Sequence, residues 1–90
     1  MTIAVDDYDG ARRLLADLLS EIGIEDYAFA IEPAASGWRA QIECAATEGW
    51  QSSEILLDHE IFADADTASE ARSAVLATLE ARLSNCRRRR

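Results

Sequence analysis

The stretch YAFAIEPAASGWRAQIECAATEGWQSSEILL, residues 27–57, decides the fold. Side chains on a strand point to opposite faces at every second residue. From 27 to 32, Tyr27, Phe29 and Ile31 fall on one face and Ala28, Ala30 and Glu32 on the other. From 38 to 44, Trp38, Ala40, Ile42 and Cys44 alternate with Arg39, Gln41 and Glu43. Both runs read as strands with one face toward a core. Between them, Pro33-Ala34-Ala35-Ser36-Gly37 reads as a hairpin loop, because proline removes a ladder donor and glycine reaches positive φ. The two apolar rows share a face only when opposing residue numbers sum to an odd number, which sets Phe29 across from Ala40 or Ile42. A slip by one residue would bury Arg39 and Glu43 instead. A second turn at Ala45-Ala46-Thr47-Glu48-Gly49 leads to a third strand over about Gln51 to Leu57. Its inward residues read as Ser53, Ile55 and Leu57, leaving Trp50 and Leu56 on the outer face.

Upstream, the lead-in 1–6 reads as irregular, with Ile3 and Val5 available to a short edge. From about Asp7 to Ile22 the apolar positions Tyr8, Ala11, Leu15, Leu18 and Ile22, with Leu14 and Leu19 beside them, recur at helical spacing. Asp6, Asp7 and Asp9 read as caps and as charges favoured at the positive end of the helix dipole, and Gly23 as the stop. Asp9 and Arg13, one turn apart, read as an exposed ion pair. Downstream, residues 58–66 read as a connecting loop. Thr67-Ala68-Ser69-Glu70 then matches a capping box, opening a second helix to about Cys86 with Ala68, Ala71, Val75, Leu79 and Leu83 on one stripe and Leu76 beside it. The fold class that follows is α+β: a three-stranded antiparallel meander with two helices packed on one face, α-β-β-β-α, because the sheet offers one apolar side for both stripes. Residues 1–86 read as a single domain and 87–90 as a basic C-terminal tail.

Of the 90 residues, 49% are apolar and 29% charged, a composition suited to one modest soluble core. No apolar run approaches the roughly 20 residues of a membrane span, and the start of the chain lacks the pattern of a signal peptide. The sequence reading therefore places the protein in the cytoplasm, away from membranes. Cys44 and Cys86 read accordingly as buried or half-buried thiols rather than a bridge. All nine basic residues are arginine, set against 17 acids. Residues 1–86 hold every acid and only five arginines, a net of −12, so the body is acidic and the end basic. Such a body repels phosphate backbones and favours basic partners.

The order of elements from about residue 7 to 86 resembles the double-stranded-RNA-binding-domain fold. That resemblance implies RNA contact by a basic cluster at the start of the second helix. Here Asp64-Ala65-Asp66-Thr67-Ala68-Ser69-Glu70 carries three acids and no base before Arg72, so the activity does not follow. The meander Tyr27-Ala28-Phe29-Ala30-Ile31-Glu32-Pro33 with Gly37-Trp38-Arg39-Ala40, and Phe62 leading into Thr67-Ala68-Ser69-Glu70-Ala71, is similar to antitoxin-like domains of the HicB kind. The leading helix departs from that pattern.

Catalytic chemistry finds little to work with. His59, flanked by Asp58 and Glu60, is the lone histidine, and three consecutive side chains on an extended chain point apart rather than toward one ion. Asp58, Glu60, Asp64 and Asp66 lack the glycine and closing glutamate of a calcium loop. There is no nucleophile elbow and no glycine-rich phosphate loop, so no cofactor is implied. The reading that remains is a non-enzymatic interaction or regulatory module that meets a protein partner or a second copy of itself on the outer sheet face, with Arg39, Gln41, Trp50 and Leu56 as candidate contacts. The alternative is a nucleic-acid-associated protein using Arg87, Arg88, Arg89 and Arg90.

Overall fold

In the computed structural model, which describes residues 5–88, helix α1 (Val5–Ile22) leads into strands β1 (Tyr27–Ala34), β2 (Gly37–Ala46) and β3 (Gly49–Asp58). Two further helices follow, α2 (His59–Asp64) and α3 (Ser69–Arg82). The strands form one antiparallel sheet in the order β1-β2-β3. Phe29 pairs with Ile42 and Ala40 with Ile55, the register that brings the apolar rows onto one face. Ile31, Trp38, Ala40, Ile42, Cys44, Ile55 and Leu57 are buried there, while Arg39, Gln41, Glu43, Trp50 and Leu56 are exposed on the other side. Ser53 is half-buried on the inner side.

All three helices cover that inner face. Ala11, Leu14, Leu15, Leu18 and Leu19 of α1 are buried, as are Phe62 of α2 and Val75 and Leu79 of α3, with Leu83 just beyond its end. Tyr8, read as part of the α1 stripe, is 37% exposed at its end, but its ring still lies 6.4 Å from that of Trp38. Gly23 ends α1 at φ 88°, its N–H donating to the Leu19 carbonyl, the left-handed stop that glycine adopts without strain.

Several expectations are corrected. Val5 and Asp6 lie inside α1 rather than ahead of it, and Ile3 lies outside the described residues. Pro33 belongs to β1. The Ala45 N–H donates to the Asp26 carbonyl, so odd-numbered residues of β2 bond toward β1. Alternation along the ladder then turns the backbone of Pro33 to the open side, where no N–H is needed. The hairpin turns shrink to Ala35-Ser36 and Thr47-Glu48. Residues 59–64 form α2 instead of a loop, because Asp58 caps it: its Oδ1 accepts from the N–H groups of Glu60 (2.9 Å) and Ile61 (3.1 Å). The capping box at Thr67 does not form. The Asp64 carbonyl takes the N–H groups of both Thr67 and Ala68 as α2 ends, and α3 starts at Ser69 with Ala68 as an N-cap that offers no side-chain acceptor.

The cysteines are also corrected: Cys44 and Cys86 form a disulfide, with Cα atoms 5.6 Å apart. Beyond Leu83 the chain turns back along the end of β2, bridging Ala46 to Cys86 and Ile24 to Arg88. The Arg87 N–H donates to the Ala45 carbonyl (2.8 Å), and its carbonyl accepts from the Glu25 N–H (2.9 Å). Arg87 and Arg88 are therefore held against the sheet end rather than frayed.

Two glycines set a local test. A Cβ on Gly37 would collide with the Leu57 carbonyl oxygen and crowd the His59 N–H, backbone atoms that no rotamer change can clear, whereas a Cβ on Gly10 of α1 meets nothing. Gly37→Ala is expected to cost about 1–3 kcal/mol by overpacking. Gly10→Ala is expected to stabilise α1 by about 0.5–1 kcal/mol through helix propensity. Urea midpoints of the two variants should move in opposite directions.

Candidate interaction surface

The outer face of the sheet is built from cross-strand rows fixed by the register. Glu32, Arg39 and Leu56 form one row, Ala30, Gln41 and Glu54 the next, and Ala28, Glu43 and Ser52 the third. Every one of these residues is exposed. Arg39 sits between two carboxylates, with Nη1 2.7 Å from Glu32 Oε2 and Nε 3.1 Å from Glu54 Oε2. An exposed triad of this kind adds little stability but holds the guanidinium in place. Gln41 reaches across to Ser52 Oγ at 3.5 Å.

Small side chains at 28 and 30 leave a hollow of about 330 Å³ over β1 and β2, lined by Ala28, Phe29, Ala30, Gln41 and Glu43. Glu43 stands on its rim and makes no ion pair among the described residues. The hollow therefore combines an apolar floor with an unengaged carboxylate. Of the candidates Arg39, Gln41, Trp50 and Leu56, Gln41 alone lines this hollow, although the pairings Ala28 with Glu43 and Ala30 with Gln41 follow from the register alone.

Trp50 and Leu56 are each 68% exposed and frame the face rather than fill its centre. Six residues apart on β3, they are separated by about 20 Å. Trp50 pairs with Ala45 at the end near the second hairpin. It borders a separate concavity of about 530 Å³ shared with Gln51, Cys86 and Arg87. Leu56 borders a smaller groove with Ile61, Phe62 and Val75 at the open side of β3, where Arg82 donates to the Glu54 carbonyl at 2.7 Å. The outer face is thus charged along its middle, with Trp50 and Leu56 as apolar ends.

The remaining candidates disperse. Asp58 is committed to capping α2, and the His59 ring lies 6.4 Å from that of Trp38, tilted by 32°. Among the described residues no three His, Cys, Asp or Glu side chains are grouped to hold a metal. Arg87 and Arg88 approach Glu25 and Glu80 at 3.9 Å each, and Arg89 and Arg90 lie outside the described residues. At the start of α3, Glu70 stands in the first turn. Arg72 spans to Glu21 of α1, at 2.8 Å from Nη2, and to the Ala65 carbonyl. No helix among the described residues is long and apolar enough to cross a membrane. No family model, no curated protein and no solved structure matches the chain, so its likeness to the double-stranded-RNA-binding fold rests on the shared α-β-β-β-α order, to which this chain adds the capped helix α2.

Proposed function

We propose that the chain acts by binding rather than catalysis, and that its outer sheet face receives a basic segment of a protein partner. The observation that carries this is the hollow over Ala28 and Ala30 with the unengaged Glu43 at its rim. A lysine or arginine fits such a site in two parts, its aliphatic stem over the alanines and its charged head at the carboxylate. The face carries Glu32, Glu43 and Glu54 against Arg39 alone, so two copies packed through it would set acid against acid. Charge thus favours a basic partner over self-association here. The nucleic-acid alternative has less support, since Arg87 and Arg88 each stand 3.9 Å from one of the chain's own carboxylates. The bridge between Cys44 and Cys86 weighs against the cytoplasmic placement, because disulfides persist in oxidising compartments.

The test is a fluorescence-anisotropy titration with a labelled octapeptide alternating lysine and threonine. Saturable binding is expected. Glu43→Gln should weaken it about two- to fivefold, the range of an exposed charge pair. Ala30→Arg, which fills the hollow and neutralises its charge, should weaken it about tenfold or more. Both positions are solvent-exposed, so the fold should survive. Unchanged affinity in both variants would dismiss the hollow as the site.

A further inference from the structure

β1 is an edge strand. Its even-numbered residues bond toward β2, as the Ala45 to Asp26 hydrogen bond requires. The N–H and C=O groups of Tyr27, Phe29 and Ile31 therefore face the open side, a template for one more strand. Phe29 is half-buried and its ring stacks on Tyr27 with centroids 6.3 Å apart. It lines concavities on both sides of this edge: the outer hollow described above, and a second of about 340 Å³ between β1 and α1. Asp9, Arg12, Arg13 and Ala16 form the α1 wall of the second one.

The charge state of that wall identifies the occupant. Arg39, Arg72 and Arg82 each hold a carboxylate or a carbonyl at 2.7–2.8 Å, and Arg87 and Arg88 each stand 3.9 Å from a carboxylate. Arg12 and Arg13 are exposed and hold neither among the described residues, and the expected pair between Asp9 and Arg13 does not form. Two unengaged guanidinium groups thus stand beside an unpaired strand edge, on a chain whose other described arginines are taken. A second copy would be joined by a two-fold axis that packs this wall on itself, four arginines against two aspartates. An acidic strand from another protein meets two arginines against the single Asp9 of that wall, a local reversal of the chain's net charge of −8.

We infer that the open edge of β1 binds an extended acidic peptide segment as an added strand, its backbone pairing with Tyr27, Phe29 and Ile31 and alternate carboxylates reaching Arg12 and Arg13. This mode takes affinity from main-chain bonds and selectivity from alternate side chains. It is independent of the outer hollow, whose occupant is basic.

The experiment uses the full chain and a labelled octapeptide alternating glutamate and threonine, followed by anisotropy at low salt. Saturable binding is expected, falling tenfold or more in an Arg12→Ala/Arg13→Ala variant and weakening as salt is raised. The same peptide N-methylated at alternate residues, which cannot add to a ladder, should lose binding altogether. Equal binding by the N-methylated peptide would overturn strand addition, and equal binding by the arginine variant would overturn the charge selection. No binding of the parent peptide would overturn both. A stable dimer in sedimentation that dissociates on Phe29→Asp substitution would give the edge to a second copy and so overturn the inference too. The Arg12→Ala/Arg13→Ala variant and the N-methylated peptide leave every residue lining the outer hollow unchanged, so failure here leaves the outer-face result readable.

Discussion

Replacing Cys44 and Cys86 together with alanine is expected to lower stability by about 4 kcal/mol, the chain-entropy value for a loop of this length. The bridge spans 42 positions, from the middle strand to the segment after α3, and so restricts the unfolded chain across β3, α2 and α3. Domains of this size hold only about 5–15 kcal/mol in total, so the loss is a large share of it. With a urea slope of about 1–3 kcal/mol per molar, the midpoint should fall by about 2 M. Dithiothreitol should bring the parent protein down to the variant and leave the variant unmoved. The local consequence is separate: the Arg87 N–H, bonded to the Ala45 carbonyl, should lose its exchange protection once the tether is gone. A parent midpoint indifferent to reductant would mean that the two thiols are not joined.

The same bridge shows where sequence reading stops. A pairing between Cys44 and Cys86 depends on the chain doubling back after Leu83 to lie beside Ala46, and no local pattern encodes that return. By contrast, the facing of β1, β2 and β3 was legible because period-two alternation is a property of each strand taken alone. Even the inward parity of Ile55 and Leu57, hidden in a run of three apolar residues, came out as buried. Helix α2 was hidden for another reason. Six residues are too few to show a 3.6-residue period, and the signal that was present, Asp58 one position ahead of His59, reads the same as a polar loop. The Thr67 box was a false start because two N–H groups there were already claimed by the Asp64 carbonyl, a competition set by the preceding helix. At the candidate site, attention went to large side chains, while the hollow is made by small ones whose importance appears only when Ala28 and Ala30 are set beside Glu43 and Gln41 in register.

The two tryptophans turn that difference between faces into a measurement. Trp38 is 3% exposed, with the rings of Tyr8 and His59 each 6.4 Å away, whereas Trp50 is 68% exposed. Both lie in one three-stranded meander, and only the side of the sheet they face separates their fates. Trp38→Ala should cost about 3–5 kcal/mol, since it empties the part of the core between the first turn of α1 and the start of α2. Trp50→Ala should stay within about 0.5 kcal/mol, as for other surface positions. Urea melts followed by far-UV circular dichroism compare the two without relying on the residues being changed. Emission adds an independent reading: Trp50→Ala leaves the buried indole and should shift the spectrum to shorter wavelength, while Trp38→Phe leaves the exposed one and should shift it to longer. If Trp50→Ala unfolded the protein, the outer face would be part of the core and the hollow beside it could not be a docking surface. A folded Trp50→Ala protein with undiminished lysine-peptide binding has a different meaning. It would confine recognition to Glu43, two residues or about 7 Å along the strands from the row of the indole, and to the alanines on β1.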